Sequence, residues 1–192
     1  MTKLIIFDLD DTLIDSFDAN FNAYEKACND LGISILKEDY KKTRGMSWKD
    51  SIPHFTGIKD FEKIDKIHEL KKKYLYEFFH HIKEIENNII LKDLLKEKYK
   101  LCIATSASRK NVDVVDKKFN LKKDFDFIVT SDDVKNGKPA PDLFLKCAQI
   151  FNVSPEDCFV IDDSDSGVIA AKKAGMKVFR VPLNNESSTQ QT

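Results

Sequence analysis

No apolar run in this chain approaches the length of a membrane span, so no membrane partner is expected. An excess of one charge is also missing: 31 Lys and Arg stand against 32 Asp and Glu, the signs are interspersed, and the formal net charge is -1. That balance gives no overall electrostatic reason to expect nucleic acid as a partner. Cysteine is scarce, and Cys28, Cys102, Cys147 and Cys158 form neither a C-x-x-C motif nor a dense framework. They read as reduced, mostly buried thiols of a cytoplasmic protein. In keeping with that compartment, the sequence opens on a strand pattern rather than on a secretory leader. Internal repeats are absent, and no convincing strand pattern occurs between about Asp15 and Asn88.

What is present is an alternation of two periodicities. A chain of 192 residues has room for one well-cored domain, or for a core with a smaller domain inserted. From about Ser16 to Leu31, Phe17, Phe21, Tyr24, Cys28 and Leu31 recur at helical steps, with Ser16 as a candidate N-cap and Gly32 as a stop. Lys37 to Arg44 and Lys59 to Glu86 read as amphipathic helices, with loops at Thr43 to Trp48 and Ile52 to Gly57 where the breakers lie. After Asn88 the pattern becomes helix 89–97, strand 101–104, helix 111–119, strand 125–129, helix 141–151, strand 158–161, helix 166–174 and strand 177–181. Strands alternating with helices at this spacing predict right-handed crossovers and a parallel sheet covered on both faces. The Asn-, Ser-, Thr- and Gln-rich tail from Asn184 reads as disordered.

In open α/β sheets, ligands bind outside the carboxyl ends of the strands. The residues just past each apolar run are Asp8 and Asp10, then Thr105 and Ser106, then Thr130 to Asp133, then Asp162 to Ser164. Lys138 lies in the loop before the helix at Pro141. Asp8 and Asp10 fall on the same side of the first strand if its geometry persists, and such proximity requires either a proton or a cation between them. Oxygen ligands without His or thiolate partners suit a hard cation such as Mg²⁺. A cation and one lysine in turn suit a phosphoryl group, with one aspartate as nucleophile and the other as acid and base. Taken singly, each residue has a plainer role: Asp10 and Asp11 as turn residues, Asp162 and Asp163 or Thr105 and Ser106 as helix caps, and Lys138 as a solvated turn lysine. Their convergence on one rim favours the chemical reading. His80 and His81, adjacent on a helical pattern, are expected to point apart, which argues against a metal pair.

Phe7-Asp8-Leu9-Asp10-Asp11-Thr12-Leu13, the Thr105-Ser106 strand end, Gly137-Lys138-Pro139-Ala140-Pro141-Asp142-Leu143-Phe144 and Ile161-Asp162-Asp163-Ser164-Asp165-Ser166-Gly167 resemble, in order and spacing, the four motifs of the haloacid dehalogenase (HAD) superfamily. The resemblance runs from about Lys3 to Val181, and the insert after the first motif is similar to the cap of the branch holding phosphoglycolate phosphatase and β-phosphoglucomutase. It implies an α/β fold: a Rossmann-like parallel sheet core (residues 1–15 and 89–192) with an inserted all-helical cap domain (16–88). It implies Asp8 as nucleophile and Asp10 as general acid and then base. Mg²⁺ would be held by Asp8, the backbone carbonyl of Asp10 and Asp163, with Asp162 direct or through water. Lys138 would bridge nucleophile and phosphoryl group, with Thr105 as the hydroxyl contact and Ser106 as a backbone N–H.

Within that superfamily, dehalogenases lack the second aspartate, so Asp10 argues against dehalogenation. Thr12 resembles the phosphatases, where the mutases carry Val. The expected activity is therefore hydrolysis of a small soluble phosphorylated metabolite. The alternatives are a β-phosphoglucomutase-like mutase and a non-catalytic module that binds a phospho-ligand or a protein. Asp11 departs from the family's Gly, implying a position that tolerates a side chain or an extra carboxylate near the entrance. In the cap, Arg44 to Ser51 resembles the mutases' substrate loop, but Trp48 replaces the arginine that grips a second phosphate and Asn20 replaces a histidine. Ser16, Asn20, Arg44 and Trp48 are the candidate substrate contacts, on a cap expected to close over the site.

Overall fold

The computed structural model describes residues 2–44 and 46–182; the expectation for the tail from Asn184 lies outside them, as does Gly45. The chain forms two compact units, one built from the residues up to Ile14 with those from Glu84 onward, the other from Asp15–Lys83. Strand β1 (Leu4–Phe7) is followed by the two-residue β2 (Ile14–Asp15), which leads into α1 (Phe17–Asn29), α2 (Lys37–Lys41), α3 (Trp48–Thr56) and α4 (Phe61–Tyr74). A 3-10 segment (Leu75–His81) and β3 (Lys83–Glu84) lead back, and β2 and β3 pair as a two-stranded ribbon. Then come α5 (Glu86–Lys96), β4 (Lys100–Ala104), α6 (Arg109–Phe119), α7 (Leu121–Asp124), β5 (Phe127–Val129), α8 (Asp142–Phe151), β6 (Cys158–Asp162), α9 (Asp165–Lys173) and β7 (Lys177–Arg180).

The first unit is the expected parallel α/β sheet, with strand order β5-β4-β1-β6-β7. β1 is the centre, pairing Leu4 with Lys100 of β4 on one side and with Cys158 of β6 on the other. All four of its residues are buried, as a near-continuous apolar run in a sheet covered on both faces requires. Leu4, Ile6, Cys102, Val129, Val160 and the α8 residues Leu143, Phe144 and Cys147 make the core on one face. The strand order turns back between β1 and β6, which makes the crevice past their carboxyl ends the expected ligand position. All four cysteines are free and buried.

The second unit packs the predicted apolar face of α1 (Phe21, Tyr24, Cys28) against Ile52 and Phe55 of α3 and Ile64 and Ile67 of α4. Several elements differ from expectation. Of the stretch Ile52 to Gly57, expected as loop, the residues up to Thr56 belong to α3, with Pro53 inside it. A helix-interior proline costs about 3 kcal/mol, which burial of Ile52 and Phe55 offsets, and Gly57 ends the helix at φ 73°. The long helix expected from Lys59 starts only after Asp60, whose carboxylate accepts from the amides of Glu62 and Lys63, and it tightens into the 3-10 segment after Tyr74. Ser16 makes no capping bond through its side chain; Asp15 accepts from Phe17 N instead at 3.4 Å. Short β2 and β3, and the one-turn α7, carry too few residues to show a period. Residues 84–88 fold with the sheet, where Asn88 donates to the carbonyl of Thr12 at 2.7 Å. Among the described residues no helix is long and apolar enough to cross a membrane.

One titration follows from this packing. The His68 imidazole of α4 stacks on the Trp48 indole, with centroids 4.1 Å apart and planes 5° apart. Burial, with Lys71 and Lys72 beside it, lowers its pKa to about 4. A histidine depressed in the folded state contributes stability that is complete above its unfolded pKa of about 6.5 and is lost as pH falls toward 4. His68→Phe keeps the stack and removes the proton site. Its melting temperature is expected to fall less than that of the wild type on going from neutral pH to pH about 4; equal declines would rule His68 out as the source.

Candidate active site

The site begins where β1 stops being a strand. The amide of Asp8 still donates to the carbonyl of Ile161 at 2.9 Å, so the β1–β6 ladder carries one residue past Phe7 and delivers the Asp8 side chain into the crevice, 8% exposed. The chain then turns: the amides of Leu13 and Ile14 return to the carbonyl of Leu9, and Asp11 adopts φ 61°. That left-handed conformation is the physical reason a glycine suits this position, and Asp is among the few other residues enriched there. The tolerance for a side chain at Asp11 thus comes from backbone preference. Asp10 sits half-buried in this turn.

The other carboxylates come from the end of β6. Asp162 is its last residue and fully buried, and Asp163 follows at 5% exposed. Oxygens of Asp8, Asp162 and Asp163 lie within 4.8 Å of one another, and the side chain of Asp10 stands outside this trio. Lys138, 8% exposed, reaches in from the loop before α8, donating to Asp8 Oδ1 and, at 2.8 Å, to Asp162 Oδ2. The remaining oxygen of Asp162 accepts from Ser164 N at 2.9 Å and Ser164 Oγ at 2.7 Å, while Ser164 Oγ also caps α9 by accepting from Gly167 N. Thr12, wholly buried, donates to Asp163 Oδ1 at 2.8 Å.

Three buried carboxylates with one ammonium leave an excess of negative charge. Burial pushes the Asp8 carboxyl well above its usual range; Lys138 opposes this, and Asp162 and Asp163 add to it. Burial likewise raises Asp163 to about 6, partly countered by the Thr12 hydrogen bond. For Lys138, burial works against the charge, but the carboxylates of Asp8 and Asp162 prevail and hold its pKa above the ordinary lysine value. An all-oxygen donor set that is electrostatically unsatisfied fits a hard divalent cation. Because both oxygens of Asp162 are engaged by Lys138 and Ser164, that residue fits contact through water better than direct ligation.

Thr105 lies at the carboxyl end of β4, buried; its amide extends the sheet by donating to Val129 O, and its hydroxyl accepts from Ala107 N at 3.0 Å. Ser106 is exposed, and the residue that caps α6 is Ser108. Ser16, Asn20, Arg44 and Trp48 belong to the second unit. There Asn20 Nδ2 donates to Ser16 O and Oγ, the Arg44 guanidinium lies 4.2 Å from the Phe17 ring centroid, and Trp48 is engaged by His68. A separate concavity lined by Lys3, Lys96, Tyr99 and Asp126 lies at the amino ends of the strands, away from the carboxylates. The sequence places Ser164 and Gly167 in the last motif without giving either a role, and it does not single out Asn88. A signal existed for Gly167 alone, a glycine in the first turn of a helix.

Residues 5–181 match the family model described as haloacid dehalogenase-like hydrolase. The chain belongs to that family. It is similar to a phosphorylated carbohydrates phosphatase of Thermotoga maritima, 30% identical over 91% of this chain and 82% of the relative. It is also similar to the β-phosphoglucomutase of Bacillus subtilis, 28% identical over 91% of this chain and 80% of that one. Among solved structures, CbbY from Rhodobacter sphaeroides in complex with phosphate superposes with a TM-score of 0.81 at 26% identity, covering 95% of this chain and 87% of its own.

Proposed function

We propose that this HAD-like hydrolase is a Mg²⁺-dependent phosphatase that hydrolyses a small soluble phosphomonoester through an aspartyl-phosphate on Asp8. The observation that carries this reading is the trio of buried carboxylates, two of them bound to the Lys138 ammonium, at the turning point of the sheet. Mg²⁺ held by Asp8, the Asp10 carbonyl and Asp163, with Asp162 acting through water, supplies charge neutralisation for the phosphoryl group when bound.

An oxygen of Asp8 attacks phosphorus and the bond to the leaving alkoxide breaks, while Asp10 gives that oxygen its proton. Asp10, now a carboxylate, takes a proton from water as the water attacks the aspartyl-phosphate; the bond from Asp8 to phosphorus breaks and inorganic phosphate leaves. Lys138, already against Asp8, holds phosphoryl oxygens, and Thr105 and the Ser106 amide bind others. The helices of 15–83 form the cap that selects the substrate, with Ser16, Asn20, Arg44 and Trp48 as its contacts. The free, buried cysteines support a cytoplasmic setting.

The test is phosphate release from a panel of phosphorylated metabolites, sugar phosphates first because the Thermotoga relative is named for phosphorylated carbohydrates. Turnover is expected with Mg²⁺, with EDTA lowering it at least about 100-fold. The similarity to a β-phosphoglucomutase favours a second reading, in which a hexose phosphate is isomerised without net phosphate release. That product pattern, or EDTA-insensitive turnover, would overturn the assignment.

A further inference from the structure

We propose that Thr12 is a positioning residue for metal binding, holding Asp163 so that a carboxylate oxygen is presented to the cation; this rests on the phosphatase reading above. Thr12 makes two bonds to one residue far along the chain: its Oγ1 accepts from Asp163 N at 3.1 Å and donates to Asp163 Oδ1 at 2.8 Å. A hydroxyl carries one proton, and accepting the amide fixes the side of the oxygen on which its lone pair is used, so the proton is aimed at the carboxylate. The pair therefore sets both the position and the rotation of the Asp163 side chain. Thr12 is itself fixed, wholly buried and with its carbonyl accepting from Asn88 Nδ2 at 2.7 Å.

The three carboxylates do not depend on this clamp equally. Asp8 is tied to Lys138, and Asp162 is tied to Lys138 and to Ser164 twice. Among the described residues, Thr12 is the one whose side chain bonds the Asp163 carboxylate. With oxygens of all three within 4.8 Å, mutual repulsion acts on whichever is least held. Removing the hydroxyl frees Asp163 to rotate away, and the cation loses a preformed ligand rather than a contact of its own.

The experiment is Mn²⁺ binding to the full chain without substrate, measured from the EPR signal of free Mn²⁺. Thr12→Val is expected to weaken binding about 10- to 100-fold, the range for partners that orient metal ligands, and Thr12→Ser to keep it within about threefold. Thr12→Ala, which adds no bulk beside the carboxylate, is expected to match Thr12→Val, and melting in EDTA checks that each variant folds. Wild-type binding with equal binding by Thr12→Val and Thr12→Ala overturns the role of Thr12. Absence of binding by the wild type overturns the metal reading beneath it, and the proposal with it.

Discussion

Asp8→Asn is expected to lower phosphate release by about 10⁴-fold or more while leaving the apo protein folded and no less stable. Asn matches Asp in shape and still accepts from Lys138, but its amide oxygen is too weak a nucleophile to form a bond to phosphorus. The stability half of the expectation has a definite sign. Burial raises the folded-state pKa of Asp8, so the folded protein holds that proton more tightly than the unfolded chain does. Stability from such a group is full below the unfolded value of 3.8 and declines as pH rises above it. The metal-free Asn variant lacks this decline, so its melting temperature in EDTA should match or exceed that of the wild type at neutral pH. Retained turnover would show that Asp8 is not the nucleophile. Lost turnover with a collapsed melting temperature would show that Asp8 is needed for the fold.

The sheet was readable because its strands are short runs of β-branched and aromatic residues, separated by helices whose apolar faces recur at three and four. The positions of Asp8, Asp162 and Asp163 followed from one topological rule about strand ends. What escaped reading was either too short or too distant. β2 and β3 are two residues each and have no period to detect. α3 runs through Pro53, which as a breaker argued for loop, because tertiary burial of its neighbours overrides propensity. The hydroxyl of Thr12 finds its partner 151 positions away, and nothing local announces it. Asp11 lay between these cases: its departure from glycine was visible, and its φ of 61° supplies the reason. In the second unit, the place of Trp48 in a motif gave no sign of the His68 ring that stacks on it.

Gly167 leads to a prediction that reverses the usual rule. In a helix, replacing Gly by Ala normally gains about 1 kcal/mol, because alanine loses less conformational freedom on folding. Gly167 lies in the first turn of α9, yet a Cβ there would fall 2.0 Å from Asp162 Oδ2 and 2.1 Å from its Cγ. A flexible side chain could swing aside, but this carboxylate is bound by Lys138 on one oxygen and by Ser164 N and Oγ on the other. Moving it unpairs the buried Lys138 on that side, a loss that costs about 1–3 kcal/mol, and takes the acceptor from the half-buried N and Oγ of Ser164. Gly167→Ala is therefore expected to destabilise by about 3 kcal/mol or more and to lower kcat/KM at least about 100-fold, since Lys138 also orients on Asp8. Adding Asp162→Ala removes the atoms the methyl meets. The double variant should then be more stable than the sum of the two single changes requires, although still inactive. Chemical denaturation of the four proteins in the cycle reads this coupling, and strict additivity would mean that Gly167 is required for something other than room for the Asp162 carboxylate.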